Sequence, residues 1–278
     1  MDRRQSSLLR PPCGIIAGMT KSRVLAKLRS GDFVKVAGIS RVMHPWLAET
    51  VGRIGFDCIW LDLEHRPWGY DVIDPISLAC RSTGIDVMAR IHKASYGDPM
   101  RALEFGANGL MVPHIRSAAE ARQWVEYSRF PPLGKRGMDG AGADADYALA
   151  DPREYIEHAA KEVFLAFQIE DKEAVEAIDQ IADIEGFDLF FIGMGDLSMS
   201  YGVPFDFANP ILQDAMERVA AAAKRTGKWW GTPTGTPEHA QRILDLGGRM
   251  ITAGGDHMAL LKGLQNSFES YGSVRLPG

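Results

Sequence analysis

Short apolar segments alternate with amphipathic helical segments from residue 33 onward, and this alternation constrains the fold more than any other feature of the chain. Short apolar runs bounded by glycine are typical of buried parallel strands. The predicted strands are Phe33–Ser40, Cys58–Glu64, Asp86–Ile91, Gly109–Ile115, Val163–Ile169, Leu189–Gly193, Lys228–Gly231 and Met250–Ala253. Eight strand–helix units predict a closed (β/α)8 barrel, the TIM barrel, with a doubly wound open sheet as the alternative.

The predicted helices follow the strands in turn, and several end at a glycine. They are Trp46–Ile54, Val72–Ser82, Pro99–Phe105, Ala118–Arg129, Lys172–Ala182, Ile211–Arg225, Glu238–Leu246 and Met258–Glu269. In the long loop Phe130–Asp151, Asp151 as N-cap and Pro152 at the first helical position predict an extra helix up to Lys161. We expect an N-terminal tail at 1–21 and a single barrel domain at 22–278.

The composition argues against several other classes of protein. A net charge of −5 and a pI of about 5.8 do not favour nucleic-acid binding. The apolar runs are far shorter than the roughly 20 residues of a membrane-spanning helix, and the polar N-terminus lacks the apolar core of a signal peptide. The three cysteines, Cys13, Cys58 and Cys80, form no CxxC pair. We therefore expect a protein of the reducing cytoplasm without nucleic-acid or membrane partners.

Two apolar runs end abruptly in carboxylates. AFQIE ends at Glu170, and FDLFFIGMGDLS contains Asp196 after two glycines. These carboxylates would lie at the carboxyl ends of neighbouring strands, where barrel enzymes collect catalytic groups, and oxygen ligands suit a hard divalent cation. Gln168 shares strand parity with Glu170 and faces the same side. The alternatives are a structural polar network and, for Asp196, a helix N-cap.

Two further strand ends carry groups that could act on a substrate. In LDLEHRPW, the carboxylate of Asp62 beside His65 would fix the imidazole tautomer and give a general base near neutral pH. Alternatively, His65 only caps a backbone turn. Arg90, in VMARIH, could hold a carboxylate or a developing enolate oxygen. Its alternative role is a buried pair with Asp62 or Glu64.

With these motifs in order, the sequence resembles the class II pyruvate-dependent aldolases of the HpcH/HpaI family over Val24–Gln265. The shared motifs are the DxEH of strand two, Arg90, LMVPHI, RFPPLGKRG, QIE at 168–170 and FIGMGDLS at 191–198. The resemblance implies a barrel of the phosphoenolpyruvate/pyruvate-domain type. It also implies cleavage of a 4-hydroxy-2-oxo acid, a small-molecule substrate, into pyruvate and an aldehyde through a metal-stabilised enolate.

The resemblance also implies residue roles. Glu170 and Asp196 would bind Mg²⁺, Mn²⁺ or Co²⁺, and Arg90 would support the enolate. His65, oriented by Asp62, would be the base for the C4 hydroxyl. The substrate-binding residues would be Gln168, near the bound pyruvate, and Met194 and Gly195, whose backbone would hold the pyruvate carboxylate. Family members form homohexamers of dimers that exchange the last helix, for which Met258–Phe268 is the candidate.

Alternative activities on the same enolate site are oxaloacetate decarboxylation and cleavage of CoA esters, as in citrate-lyase beta-type enzymes. A CoA site needs a basic patch at the mouth, and Lys135 and Arg136 are the candidates. A non-catalytic paralogue that binds a small acid is the remaining alternative. The acidic loop with Asp139, Asp144 and Asp146 departs from the family pattern, and its charge would favour a neutral or cationic aldehyde partner.

Overall fold

The computed structural model describes residues 19–275, and its eight parallel strands close into a barrel in sequence order. The strands are β1 (Val34–Ile39), β2 (Cys58–Asp62), β3 (Asp86–Arg90), β4 (Gly109–Val112), β5 (Phe164–Ile169), β6 (Leu189–Ile192), β7 (Trp229–Pro233) and β8 (Met250–Gly255). β8 pairs with β1 and completes the barrel. The predicted TIM barrel is confirmed, whereas most of the predicted tail lies outside the described residues.

Twelve α-helices lie within residues 19–275. They are α1 (Arg23–Arg29), α2 (Pro45–Ile54), α3 (Ile73–Thr83), α4 (Gly97–Glu104), α5 (Ala118–Ser128), α6 (Pro152–Glu162), α7 (Lys172–Glu176), α8 (Ile178–Ala182), α9 (Met194–Ser200), α10 (Pro210–Thr226), α11 (Pro237–Asp245) and α12 (Asp256–Ser270). None of the helices in this part of the chain has the length and apolar character of a membrane span.

Most predicted helices are present with shifted ends. The extra helix α6 begins as predicted, with the Asp151 carboxylate accepting from the backbone N–H groups of Arg153 and Glu154. The predicted helix 172–182 is divided at Ala177 into α7 and α8. Helix α1 was not predicted, and α9 was considered only as a helix start after Asp196, since seven residues are too few for a clear apolar period.

Side chains alternate between two apolar layers along each strand. One layer fills the barrel, with Cys58, Met88, Phe164 and Ala166 among its buried members. The other packs between the strands and the surrounding helices, with Ile59, Val87, Leu165 and Phe167 among its members. By this alternation the polar residues at the carboxyl ends of β2, β3 and β5 continue the inward-facing register. These residues are Asp62, Arg90 and Gln168.

The amino end of the barrel is closed by α1 and by buried acids. Asp86 accepts hydrogen bonds from the Ser22 hydroxyl at 2.6 Å and from the backbone N–H groups of Arg23 and Val24 at 3.2 and 2.9 Å. Asp57 accepts from Arg23 Nε at 2.9 Å and from Lys27 Nζ at 3.0 Å. These bonds tie α1 to the floor of the barrel, so the open end is the one at the carboxyl ends of the strands.

The long loop runs along α4. Gly137 N–H donates to the Tyr96 hydroxyl at 2.9 Å near the start of α4. Arg136 is buried, with Nη2 at 2.5 Å from Asp144 Oδ2 and 3.0 Å from the Tyr155 hydroxyl. Arg136 is therefore not part of a basic patch at the mouth, and it neutralises one acid of the loop.

Candidate active site at the carboxyl ends of the strands

Arg90 is held by two carboxylates at the mouth of the barrel. Its Nη2 and Nε lie 2.8 and 3.0 Å from Asp62 Oδ1, and its Nη1 lies 3.1 Å from Glu64 Oε2. The parallel register of β2 and β3 places Asp62 directly beside Arg90. The guanidinium also lies over the Trp60 ring, 5.0 Å from its centroid. The buried pair considered for Arg90 is thus formed with both acids, and it fixes the guanidinium in one orientation.

His65 lies in the turn that follows β2. Its backbone N–H donates to Asp62 Oδ1 at 3.3 Å, whereas its imidazole Nε2 lies 3.6 Å from Glu64 Oε2. The expectation that Asp62 orients the imidazole is therefore corrected, since β2 ends at Asp62 and the turn carries the ring toward Glu64. About half of the His65 side chain is exposed, at 51%.

Glu170 is a buried carboxylate directly after β5, with 1% of its surface exposed. Its Oε1 accepts from the backbone N–H of His114 at 2.9 Å, and its Oε2 accepts from the side-chain amide of Gln168. Burial raises the pKa of Glu170 to about 7, although the nearby His114 and Arg90 act in the opposite direction. A carboxylate that has lost its hydration in this way gains strongly from a bound cation.

His114 connects the acids of β2 and β5, which agrees with its interpretation from the sequence as a strand-end histidine in a satisfied polar layer. Its Nδ1 lies 3.0 Å from Asp171 Oδ2 and 3.6 Å from Glu170 Oε1, and its Nε2 lies 3.7 Å from Glu64 Oε1. Its backbone has a φ of +50°, which is uncommon for a residue other than glycine. The signal available in the sequence was a histidine at the end of the fourth predicted strand.

Asp196 lies in the first turn of α9, which begins after Gly193, the residue that follows β6. The helix N-cap is Gly193, so Asp196 is not the N-cap. Gly193 N–H donates to the Ile169 carbonyl at 3.0 Å. A Cβ on Gly193 would lie 2.4 Å from Glu170 Oε2, so only glycine fits beside that carboxylate. Gly195, with Met194, borders a cavity of about 720 Å³ that opens between β7 and α11.

The oxygen atoms of Glu170, Asp196 and Gln168 suit a hard divalent cation whose remaining ligands are water or substrate oxygens. Within residues 19–275, no group of three or more His, Cys, Asp or Glu side chains is arranged to hold a metal ion. Glu170 and Asp196 offer two carboxylates, and the Gln168 side-chain oxygen is buried without a hydrogen-bond partner. Cations such as Mg²⁺ are commonly held by one or two carboxylates, with water and substrate oxygens completing the shell.

The chain is similar to aldolases over most of its length. Residues 40–262 match the family model described as HpcH/HpaI aldolase/citrate lyase. A 4-hydroxy-4-methyl-2-oxoglutarate aldolase from Chaetomium globosum is 32% identical over 216 residues, covering 76% of this chain and 79% of that protein. A 2-keto-3-deoxy-L-rhamnonate aldolase from Salmonella gallinarum is 30% identical over 249 residues, covering 89% and 92%.

The fold comparison agrees with the sequence comparison. The crystal structure of an HpcH/HpaI aldolase from Desulfitobacterium hafniense has a TM-score of 0.85 to this chain at 27% identity, covering 94% of this chain and 99% of that one. The family match spans most of the residues that carry the barrel and all the strand-end residues described above. The chain therefore belongs to the HpcH/HpaI aldolase/citrate lyase family, and it is an aldolase, an enzyme of the carbon–carbon lyase class.

Proposed function

We propose that the chain is a metal-dependent class II aldolase that cleaves or forms the C3–C4 bond of a 4-hydroxy-2-oxo acid. Cleavage yields pyruvate and an aldehyde, and the reverse reaction joins them. The names of both relatives describe aldolases of 2-oxo acids. The observation that carries the proposal is the buried carboxylate of Glu170, which lies beside Gly193 and the unpartnered oxygen of Gln168. This arrangement favours a cation at the mouth.

Glu170 and Asp196 are the residues that would hold the cation, which would be Mg²⁺, Mn²⁺ or Co²⁺. When bound, the cation supplies Lewis-acid stabilisation of the negative charge that develops on the 2-oxo group. Gln168 lies beside Glu170 and would contact the pyruvate moiety. The backbone of Met194 and Gly195, next to the open space over Gly195, would hold the pyruvate carboxylate.

The chain supplies the acid–base groups for the reaction. In cleavage, His65 accepts the proton of the C4 hydroxyl, the C3–C4 bond breaks, and its electron pair passes to the 2-oxo group. Arg90, fixed by Asp62 and Glu64, faces the enolate oxygen. The aldehyde then leaves, and C3 of the enolate takes up the proton that His65 accepted, which gives pyruvate and returns His65 to its neutral form. Condensation follows the same steps in reverse.

The alternatives receive less support. A CoA ester would need basic residues at the mouth, but Arg136 is buried against Asp144 and Lys135 pairs with Glu126 on the surface. Oxaloacetate decarboxylation passes through the same enolate and is expected as a side activity. A non-catalytic role is disfavoured because Arg90, Glu170 and Asp196 are all present.

We further propose that the enzyme assembles as a homohexamer of dimers that exchange α12. The support is the apolar surface of this helix, where Leu260, Leu261 and Leu264 are exposed and Phe268 is 84% exposed. Such a surface on the last helix is expected to pack against another subunit.

Cys58 and Cys80 are free thiols in buried positions, which supports a cytoplasmic location.

The test is release of pyruvate from a 4-hydroxy-2-oxo acid, followed through a coupled lactate dehydrogenase assay. A chelator is expected to abolish release, and Mg²⁺ or Mn²⁺ added in excess is expected to restore it. The matched control is the coupling enzyme alone with pyruvate and the same chelator. Full activity in the chelated enzyme would contradict the metal role, and no pyruvate from any such acid would contradict the reaction.

A further inference from the structure

A chain of polar contacts joins the turn after β4 to Asp171, the residue that follows Glu170. Asp171 Oδ2 lies 3.0 Å from His114 Nδ1, and Asp171 Oδ1 lies 3.2 Å from Arg116 Nε. The two oxygens of one carboxylate therefore hold two side chains of the same turn. Within the described part of the chain, the Asp171 side chain makes no capping hydrogen bond to α7, the helix that it precedes. Its contacts are directed to the turn instead.

His114, in this turn, has a left-handed backbone conformation with a φ of +50°. A residue with a side chain rarely adopts this conformation unless its surroundings impose it. Lys93 Nζ donates to the His114 carbonyl, and Asp171 holds the imidazole ring. Lys93 also pairs with Glu120, whose other carboxylate oxygen accepts from the backbone N–H of Arg116. The conformation of His114 is thus fixed through its main chain and through its side chain.

This conformation sets the direction of the His114 N–H. Because φ is the rotation about the N–Cα bond, a change in φ would turn the N–H relative to the rest of the turn. The N–H donates to Glu170 Oε1 at 2.9 Å, and the Gln168 amide donates to Glu170 Oε2. Gly193 packs so closely against Oε2 that a side chain at position 193 would not fit. The buried carboxylate of Glu170 is therefore held in one orientation, and one of its two donors depends on His114.

We propose that His114 is a positioning residue, and that Asp171, held by Arg116, fixes its ring so that its backbone N–H orients Glu170 toward the divalent cation. The proposal rests on the proposed metal-dependent function and adds residues that act through Glu170. The His114 and Asp171 side chains themselves take no part in the reaction. Loss of groups that orient a metal ligand commonly lowers metal affinity by about ten- to a hundredfold.

The test is Mn²⁺ binding in the presence of pyruvate, measured through the EPR signal of the free ion. His114→Val introduces a β-branched residue that disfavours positive φ, so the Kd for Mn²⁺ is expected to rise about tenfold. His114→Gly adopts positive φ without strain and keeps the N–H, so its Kd is expected to stay within about threefold of the wild-type value.

Asp171→Ala tests the hold on the ring. It is expected to raise the Kd about tenfold in the wild-type chain, but to have no effect in His114→Gly, which has no ring to hold. The matched control is Asp183→Ala, which removes another carboxylate that pairs with an arginine and is expected to leave the Kd unchanged.

The outcomes separate this proposal from the proposed function. A Kd that rises as far in His114→Gly as in His114→Val would overturn the proposal, because the ring itself would then be needed. If His114→Val fails to fold, an equal effect of Asp171→Ala in the wild-type and His114→Gly chains overturns it. Wild-type binding that neither His114→Val nor Asp171→Ala weakens overturns the proposal alone. Absence of Mn²⁺ binding to the wild-type enzyme overturns the metal-dependent function and this proposal with it.

Discussion

Asp86 at the amino end of β3 and Glu170 at the carboxyl end of β5 are both buried carboxylates of one barrel, and burial raises the pKa of each, to about 6 and about 7. Their surroundings differ. Asp86 accepts from Ser22 and from two backbone N–H groups of α1. Glu170 lies beside Gln168, whose oxygen has no partner within the described chain. At the amino end of the barrel, the buried acid accepts hydrogen bonds from other groups of the chain. At the carboxyl end, a polar group remains that could bind a ligand.

The distribution of unpartnered atoms extends this contrast. Eight buried side-chain polar atoms within residues 19–275 lack a hydrogen-bond partner, and four of them belong to residues at the mouth. Those four are Trp60 Nε1, Glu64 Oε2, Gln168 Oε1 and Thr252 Oγ1; Glu64 Oε2 nevertheless lies 3.1 Å from Arg90 Nη1. Since unpaired buried groups cost stability, the unpaired oxygen of Gln168 beside Glu170 marks a place at the mouth where the fold gives up stability.

The largest expected effect comes from exchanging the two carboxylates for amides. Glu170→Gln is expected to lower the rate of pyruvate release by about a thousandfold or more, because an amide oxygen without charge binds the cation weakly. Asp86→Asn is expected to leave kcat within about twofold, because Asp86 lies at the opposite end of the barrel. The coupled pyruvate assay measures the activity of both variants. Equal losses of activity would contradict the conclusion that only the carboxyl end of the barrel binds the ligand.

Arg90→Lys is expected to have the next largest effect. A lysine cannot bind Asp62 and Glu64 together while it faces the enolate oxygen, so kcat is expected to fall about a hundredfold with a smaller change in KM. Arg53→Lys changes an exposed arginine of α2 in the same way and is the control. A rise in KM with kcat preserved would show that Arg90 binds the substrate and the transition state equally.

The pH dependence of stability is expected to respond to Asp86. The pKa of Asp86 lies above the ordinary value of 3.8. Between about pH 4 and 6, the folded chain therefore keeps a proton on Asp86 that the unfolded chain has lost. This contribution is fully present at low pH and is lost as pH rises through 6. Between pH 5 and 7, Asp86→Asn is expected to reduce the decline in the unfolding free energy by about 1 kcal/mol. Urea unfolding at both pH values measures this, and an unchanged decline would show that Asp86 is ionised throughout.

The smallest expected effect on pyruvate release belongs to the cap of α1. Ser22→Ala removes the acceptor for Leu25 N–H and a donor to Asp86, and we expect a loss of about 1–2 kcal/mol in the unfolding free energy. Pyruvate release is expected to stay within about twofold of the wild type. Thr236→Ala removes the N-cap of α11 and tests whether the loss is specific to the floor of the barrel.

The barrel could be predicted from the sequence because strand and helix periods repeat along the chain, and strand parity placed Gln168 and Glu170 on one face. Other features depend on contacts between distant residues. Helix α1 is short and is held by Asp86, which lies 64 residues after Ser22. Arg136 was a candidate for a basic patch at the mouth because its buried partner Tyr155 follows only after the loop.

The residues of the candidate active site could also be predicted from the sequence only in part. The strand ends of Asp62 and Arg90 were predictable, but the turn after β2 directs the His65 ring to Glu64 rather than Asp62. Trp60 and Thr252 fit the sequence pattern of ordinary strand residues. Only the three-dimensional arrangement reveals that their polar atoms lack partners in the described part of the chain.

Titration calorimetry of pyruvate binding tests the central claim most directly, because it needs neither an aldehyde nor turnover. With Mg²⁺ or Mn²⁺ the wild-type enzyme is expected to bind pyruvate, and a chelator or Glu170→Gln is expected to abolish the binding heat. Pyruvate binding that is unaffected by the chelator and by Glu170→Gln, or no binding with either cation, would contradict a metal-dependent enolate site at the mouth of the barrel.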